Sequence, residues 1–155
     1  MILYIYKASH WCYCHGFHRV SRLLTKVIFL LFNAFIPGSA SIGAGTRLGY
    51  SGMGIVFHKN ATVGRDCLVG HQVTLGTKVP YFSNIESFDV PCVGDNVYVG
   101  SGSKLLGKIT IGHNSVIAAN SVVITDVPEN VIYAGSPARF VREIAGNRAI
   151  LFSDD

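Results

Sequence analysis

Aliphatic residues recur every six positions in the second half of the chain: Val93, Val99, Leu105, Ile111, Ile117 and Val123. Glycine follows three of them directly, at Gly94, Gly100 and Gly112. A period of six is neither the 3.6 of a helix nor the 2 of an ordinary strand. It predicts a solenoid whose hexapeptides each form one flat side of a triangular coil, three to a turn. The aliphatic side chain then points inward and stacks on the one three hexapeptides away. A small residue after it lets the chain bend at the corner without strain.

The period reaches backward with two interruptions. Ile42-Gly43 and Leu48-Gly49 begin it, and a phase shift follows through Tyr50-Ser51-Gly52-Met53. The register resumes at Phe57, Val63-Gly64, Val69-Gly70 and Leu75-Gly76. Departures from a regular repeat tend to sit where function needs them. Residues 77–92 then break the pattern, because Tyr81 and Ser87 cannot serve as inward aliphatics. Bracketed by Pro80 and Pro91, this stretch is expected to be a loop extruded from the coil, with Tyr81, Phe82 and Phe88 covered by another subunit.

A helical pattern precedes the repeats, from Ser9 to Phe35. Phe17, Val20, Leu24, Val27, Ile28, Leu31 and Phe35 fall on one face; His15, Arg19, Arg22 and Lys26 form a basic stripe on the other. Ser9 is placed to cap the start and Pro37-Gly38 to end the helix. Three readings of this segment stay open: a cap on the solenoid or a subunit contact, an interfacial helix on an acidic membrane face, and a signal peptide. After Val123, Pro128-Glu129-Asn130 predicts a turn, 131–133 a strand, Gly135-Ser136-Pro137 a second turn, and 138–145 a short helix. The resulting division is a helical segment over 1–36, an all-β solenoid over 37–145 with its loop at 77–92, and a tail over 146–155.

Composition narrows the function classes. Hydrophobic residues make up 49% and charged residues 14%, as suits a solenoid core with further buried or membrane-facing surface. A net charge of +4 with no Lys/Arg run argues against nucleic acid and fits an anionic small ligand. Cys12, Cys14, Cys67 and Cys92 form no C-x-x-C pair, so neither zinc nor a disulfide framework is indicated, and they read as reduced thiols of a cytosolic protein.

The hexapeptide array, the extruded loop and the closing stretch VPENVIYAGSPARFVREI together resemble the left-handed β-helix acyltransferases. The resemblance covers roughly residues 37–144. Within it, GIVFHKNATVGRDCLVGHQVTLG (54–76) is similar to the serine acetyltransferase branch, and most of all to short surface-polysaccharide acetyltransferases. The resemblance implies a left-handed parallel β-helix with an N-terminal α-helix, a homotrimer with sites between subunits, acetyl-CoA as donor, a hydroxyl acceptor, and no metal. A histidine would act as general base, since its pKa lies near the working pH.

Two matching positions depart from the serine enzymes. Tyr50 and Ser51 stand where those enzymes carry an Asp-His pair, and Val90 stands where they carry a loop histidine. The expected acceptor is therefore a sugar hydroxyl in surface polysaccharide synthesis. Serine O-acetylation, amino-sugar N-acetylation and a non-catalytic trimeric scaffold are the alternatives. The candidate bases are His71 and His58, with His113 behind them. The resemblance places the cofactor along Gly76, Ser101, Gly102, Ala118 and Ala119, and at the A-G-S-P-A segment with Gly135, Ser136 and Pro137. Arg139, Arg142 and Lys104 supply cations for its phosphates. The expected location is the cytoplasm, with residues 9–36 as a contact to the inner membrane face.

Overall fold

The structure, a computed structural model, describes residues 1–78 and 89–144. Most of the expected loop, including Tyr81, Phe82 and Phe88, and the tail over 146–155 lie outside the described residues. The chain forms a left-handed parallel β-helix whose first coil is covered by two helices. In chain order the strands of the coils are β1 (Ser41–Ile42), β2 (Arg47–Leu48), β3 (Val56–Phe57), β4 (Thr62–Val63), β5 (Leu68–Val69), β6 (Thr74–Gly76), β7 (Cys92–Val93), β8 (Tyr98–Val99), β9 (Lys104–Leu106), β10 (Thr110–Ile111), β11 (Val116–Ile117) and β12 (Val122–Val123). They form three faces: β1-β4-β7-β10, β2-β5-β8-β11 and β3-β6-β9-β12. A hairpin of β13 (Val131–Gly135) and β14 (Ala138–Glu143) extends the second face.

The inward aliphatics stack as the period requires. Val93 lies beside Ile111, Val99 beside Ile117, and Leu105 beside Val123, each pair one full turn of three hexapeptides apart. Leu75 instead pairs with Leu105, five hexapeptides on in sequence rather than three. Leu48 pairs with Val69, half a hexapeptide beyond one turn, and the phase break at 49–55 holds that excess.

A second six-residue row completes the core. Ala61, Cys67 and Val73, then Val97, Ser103, Ile109, Ser115, Ser121 and Val127, are all buried. The serines satisfy their hydroxyls locally: Ser103 Oγ donates to Ala118 O at 2.9 Å and Ser115 Oγ to Pro128 O at 2.7 Å. Burial pushes the Cys67 thiol up, and all four cysteines are free. The residue before each of several row members has left-handed backbone: Asp66, Gln72, Asn96, Gly102, Asn114 and Asn120. Asn, Asp and Gly tolerate that conformation best. Asn96 Nδ2 donates to Asn114 Oδ1 at 2.8 Å, and Asn114 Nδ2 to Asn130 Oδ1 at 3.1 Å, which ties successive corners together.

The N-terminal segment differs from the single expected helix. It forms α1 (Ile2–Cys14) and α2 (His18–Phe32). Gly16, at φ +82°, breaks them: its N–H donates to Tyr13 O and that of Phe17 to Cys12 O, a Schellman stop. Ser9 is therefore interior rather than a cap. It is buried, and its Oγ donates to Ser21 O at 3.0 Å. The buried side of α2 is Ser21, Thr25 and Ile28, since small hydroxyl residues let the two helices approach closely. Val20, Leu23, Phe29, Leu30 and Leu31 consequently face outward rather than into the fold. Ile2, Tyr6 and Ile28 plug the open end of the coil. Tyr6 donates its hydroxyl to Ala40 O at 2.7 Å, and burial pushes that phenol up to about 12.

The C-terminal expectation of a helix over 138–145 is also corrected. Residues 138–143 are β14, which returns antiparallel along β13 after the Gly135 turn (φ +101°). Strand pairing satisfies backbone groups that one turn of isolated helix would leave open.

Candidate active site

Three edges join the faces. The edge between the second and third faces carries, coil by coil, Gly49–Gly54, Gly70–Gln72, Gly100–Gly102 and Ala118–Asn120. Side-chain size is limited by the stacking itself. A Cβ on Gly100 would sit 2.4 Å from Ala119 N, and one on Gly70 would sit 2.5 Å from Ser101 N. Gly102 has φ +76°, and its N–H donates to His71 O at 2.9 Å. Asn120 N–H donates to Ser101 O at 2.9 Å. Those amides are used by the coil. Among the described residues no acceptor meets the N–H of Ser101 or of Ala119.

The structure gathers most of the expected cofactor positions here. Ser101, Gly102, Ala118 and Ala119 share this edge, and the hairpin tip closes over its end. Ala118 N–H donates to Tyr133 O, and Gly135 N–H meets Ser121 Oγ at 3.2 Å. Gly135, Ser136 and Pro137 are exposed at that tip. Arg139 lies beside it, opposite Ala134, with Nη1 donating to Ala138 O at 3.0 Å. Arg142 lies further back, opposite Ile132. Gly76 stands apart from this group, on the edge between the third and first faces, where a Cβ would meet only ordinary contacts.

His71 belongs to the same edge as the amides. Its ring meets Tyr50 edge-on, with centroids 5.0 Å apart and planes at 78°. Its Nδ1 is buried and, among the described residues, makes no hydrogen bond. Tyr50 and Ser51 are both left-handed, at φ 48° and 55°, inside the phase-break insertion. Consecutive non-glycine residues in that region store about 1–2 kcal/mol each. From this corner the Tyr50 ring reaches His71 on the next coil. Lys104, from β9, donates its Nζ to Gln72 O at 2.7 Å, beside His71 rather than out toward a distant phosphate. The sequence alone does not show the Tyr50 contact. Its signal is the phase break, which marks an unusual corner without showing where the extra residues point.

His58 is elsewhere. It follows β3 on the third–first edge, and its Nδ1 accepts from Asn60 N–H at 3.2 Å. His113 is on the first–second edge, and its Nδ1 accepts from Asp95 N–H at 2.9 Å. Within one chain, only His71 of the three lies with the free amides.

Burial first, and then the adjacent Lys59 charge, hold the His58 imidazole below its ordinary 6.5. The unfolded chain accepts a proton at 6.5 that folded His58 resists. The site therefore costs nothing above that value, and stability falls as pH drops below it. An NMR titration should give a His58 midpoint below 6.5. Lys59→Gln should raise it only partway, because burial is the larger cause. A midpoint at or above 6.5 contradicts the description.

Among the described residues, no group of three or more His, Cys, Asp or Glu could hold a metal ion. None of the described helices is long and apolar enough to cross a membrane.

Repeated coils, an edge of small residues and a closing hairpin define a hexapeptide-repeat protein, and comparison with known proteins agrees. Residues 93–125 match the family described as bacterial transferase hexapeptide (six repeats). The serine acetyltransferase of Synechococcus elongatus is 36% identical over 139 residues, 90% of this chain and 55% of that protein. The serine acetyltransferase of Helicobacter pylori strain 26695 is 31% identical over 90% of this chain and 78% of that protein. The crystal structure of Brucella abortus serine acetyltransferase in complex with coenzyme A superposes with a TM-score of 0.85 at 32% identity, covering 92% of this chain and 55% of that one. The chain belongs to the serine acetyltransferase family. It spans about half the length of most of the curated relatives it matches.

Proposed function

We propose that this protein transfers an acetyl group from acetyl-CoA to a hydroxyl, that His71 is the general base, and that L-serine is the acceptor. The observation carrying the reading is the placement of a half-buried imidazole on the same edge as two unpaired amides. The His71 imidazole takes the proton from the acceptor hydroxyl as its oxygen attacks the thioester carbonyl. The Ser101 and Ala119 N–H groups face the developing oxyanion. Collapse expels the CoA thiolate, which recovers the proton from the imidazolium. The small-residue edge and hairpin tip hold the cofactor arm, with Arg139 near the tip for a phosphate.

The acceptor is argued from relatives. The matched proteins are serine acetyltransferases, and this favours serine over the expected sugar hydroxyl of polysaccharide synthesis. Tyr50, Ser51 and Val90, at positions where the serine enzymes carry their Asp-His pair and loop histidine, are what keep a sugar among the acceptors to test. The exposed apolar side of α2 suits contact between copies, in a trimer of three 16.7 kDa chains. The expected membrane contact through residues 9–36 draws no support from these relatives.

Hydrogen exchange with and without CoA tests the cofactor reading. Protection is expected at 101–102, 118–120 and 135–136. Protection confined to the third–first edge, near Gly76 and His58, would move the site there.

A further inference from the structure

A cleft of about 540 Å³ opens between α2 and the stretch that leads from it into β1. Arg22 and Lys26 of α2, Tyr13 of α1 and Phe35 line it, together with the buried Ser21 and Gly38. The buried part is fixed from two sides. A Cβ on Gly38 would sit 2.4 Å from Ser21 Oγ, so glycine lets this stretch lie close against α2. His10 Nδ1–H donates to Gly38 O at 2.7 Å from α1. No residue of the edge that carries His71 lines the cleft. Val20, Leu23 and Leu31, on the side of α2 suited to contact between copies, do not line it either.

The charges around the cleft are unbalanced. Asp66 is the first carboxylate in the sequence, so α1 and α2 carry Lys7, Arg19, Arg22 and Lys26 and no acidic residue. Arg22 and Lys26, four residues apart, are neighbours on one helix face, with Cβ atoms about 5–6 Å apart, where like charges repel. Among the described residues neither makes a hydrogen bond or an ion pair. Tyr13 and Phe35 leave 41% and 44% of their surface exposed beside these cations.

We propose that this cleft binds the phosphate of an amphiphile, with Arg22 and Lys26 on the phosphate and Tyr13 and Phe35 against the start of its apolar chain. The volume lies within the range of ligand pockets. A phosphate brings several negative oxygens to the two cations, and a guanidinium can grip two of them at once. It also relieves the repulsion between Arg22 and Lys26 that the described residues leave uncompensated. The exposed rings turn the preference from a bare anion to one with an apolar body, as aromatic side chains do at the boundary between lipid headgroups and chains. Ser21 and Thr25 already bond within the helix pair, which leaves little in the cleft to read the edge of a nucleobase.

Calorimetry on the full chain, without acetyl-CoA or serine, tests the cleft. The probes are dihexanoyl phosphatidic acid below its micelle concentration, dihexanoyl phosphatidylcholine, adenosine monophosphate and inorganic phosphate. Phosphatidic acid should bind at least about tenfold more tightly than each of the others. Arg22→Gln and Lys26→Gln should each weaken it about ten- to hundredfold. Arg19→Gln removes an equal charge from the same helix outside the cleft and should change it by less than about threefold. All three side chains are exposed, so the variants should melt with wild type. No binding of phosphatidic acid, equal binding of the choline lipid, or tighter binding of the nucleotide or of inorganic phosphate overturns the proposal. So does wild-type affinity in both Arg22→Gln and Lys26→Gln, or an equal loss in Arg19→Gln. None of these outcomes bears on acetyl transfer at His71, whose edge lies outside the cleft.

Discussion

Replacing His71 with alanine is expected to lower kcat for acetyl transfer by about 10²–10⁴-fold. CoA affinity and melting temperature should stay near wild type. The imidazole has an unpartnered Nδ1 and a single ring contact, to Tyr50, so its loss strands no buried hydrogen-bonding group. The effect should therefore fall on the proton-transfer step. An alcohol is far too weakly acidic to attack a thioester unaided at neutral pH, and no second histidine lies on that edge. His58→Ala and His113→Ala should retain most of the activity, because both sit on other edges of the prism. A large loss in His58→Ala with none in His71→Ala would place the base at the third–first edge.

The second large effect concerns the fold. Leu105→Ala is expected to cost about 2–5 kcal/mol. Leu105 is 0% exposed and pairs with Leu75 on one side and Val123 on the other. It is the coil residue on which Leu75 of β6 stacks although thirty residues separate them in sequence. Each coil of a solenoid is stabilised only by its neighbours, so a cavity there weakens both interfaces. Against a total stability of about 5–15 kcal/mol for a domain, the loss is large. Urea denaturation should show a lower midpoint with an unchanged slope. A loss below about 1 kcal/mol would mean that the surrounding side chains collapse into the gap and that the row is less tightly stacked than described.

The coil is legible in the sequence because one residue type repeats at a fixed interval: Val93 to Val123 can satisfy a period of six in only one architecture. The second core row is not, although it has the same period. Its members change from Ala61 and Cys67 to Ile109 and Ser115, and a row defined by smallness and left-handed neighbours has no hydropathy signal. The helical segment misleads for a related reason. Val20, Leu24 and Leu31 lie on an apolar stripe, yet the close approach of α1 selects Ser21 and Thr25 for the buried side. Gly16 is a local stop signal that the longer periodicity obscures. In the same way, 138–143 has no strand alternation of its own, and it becomes a strand because the exposed edge of β13 offers it partners.

The site is partly legible. Small residues at 101, 102, 118 and 119 point to an edge, and the structure brings them together with Gly135. Gly76 shares their composition but lies on a different edge, a distinction that depends on where in the coil each residue falls. His71 and His58 cannot be ranked from sequence, since both follow an inward residue at a corner. What separates them is the company each keeps: Tyr50 and two unpaired amides for His71, a local Asn60 amide and Lys59 for His58.

The most direct measurement is acetyl-CoA-dependent thiol release by the purified chain in the presence of L-serine, with O-acetylserine identified by mass spectrometry. Serine acetylation with His71 as the general base predicts serine-dependent release at one CoA per O-acetylserine, lowered about 10²–10⁴-fold in His71→Ala. Absence of release with serine in a folded, CoA-binding protein, or release that persists unchanged in His71→Ala, would contradict it.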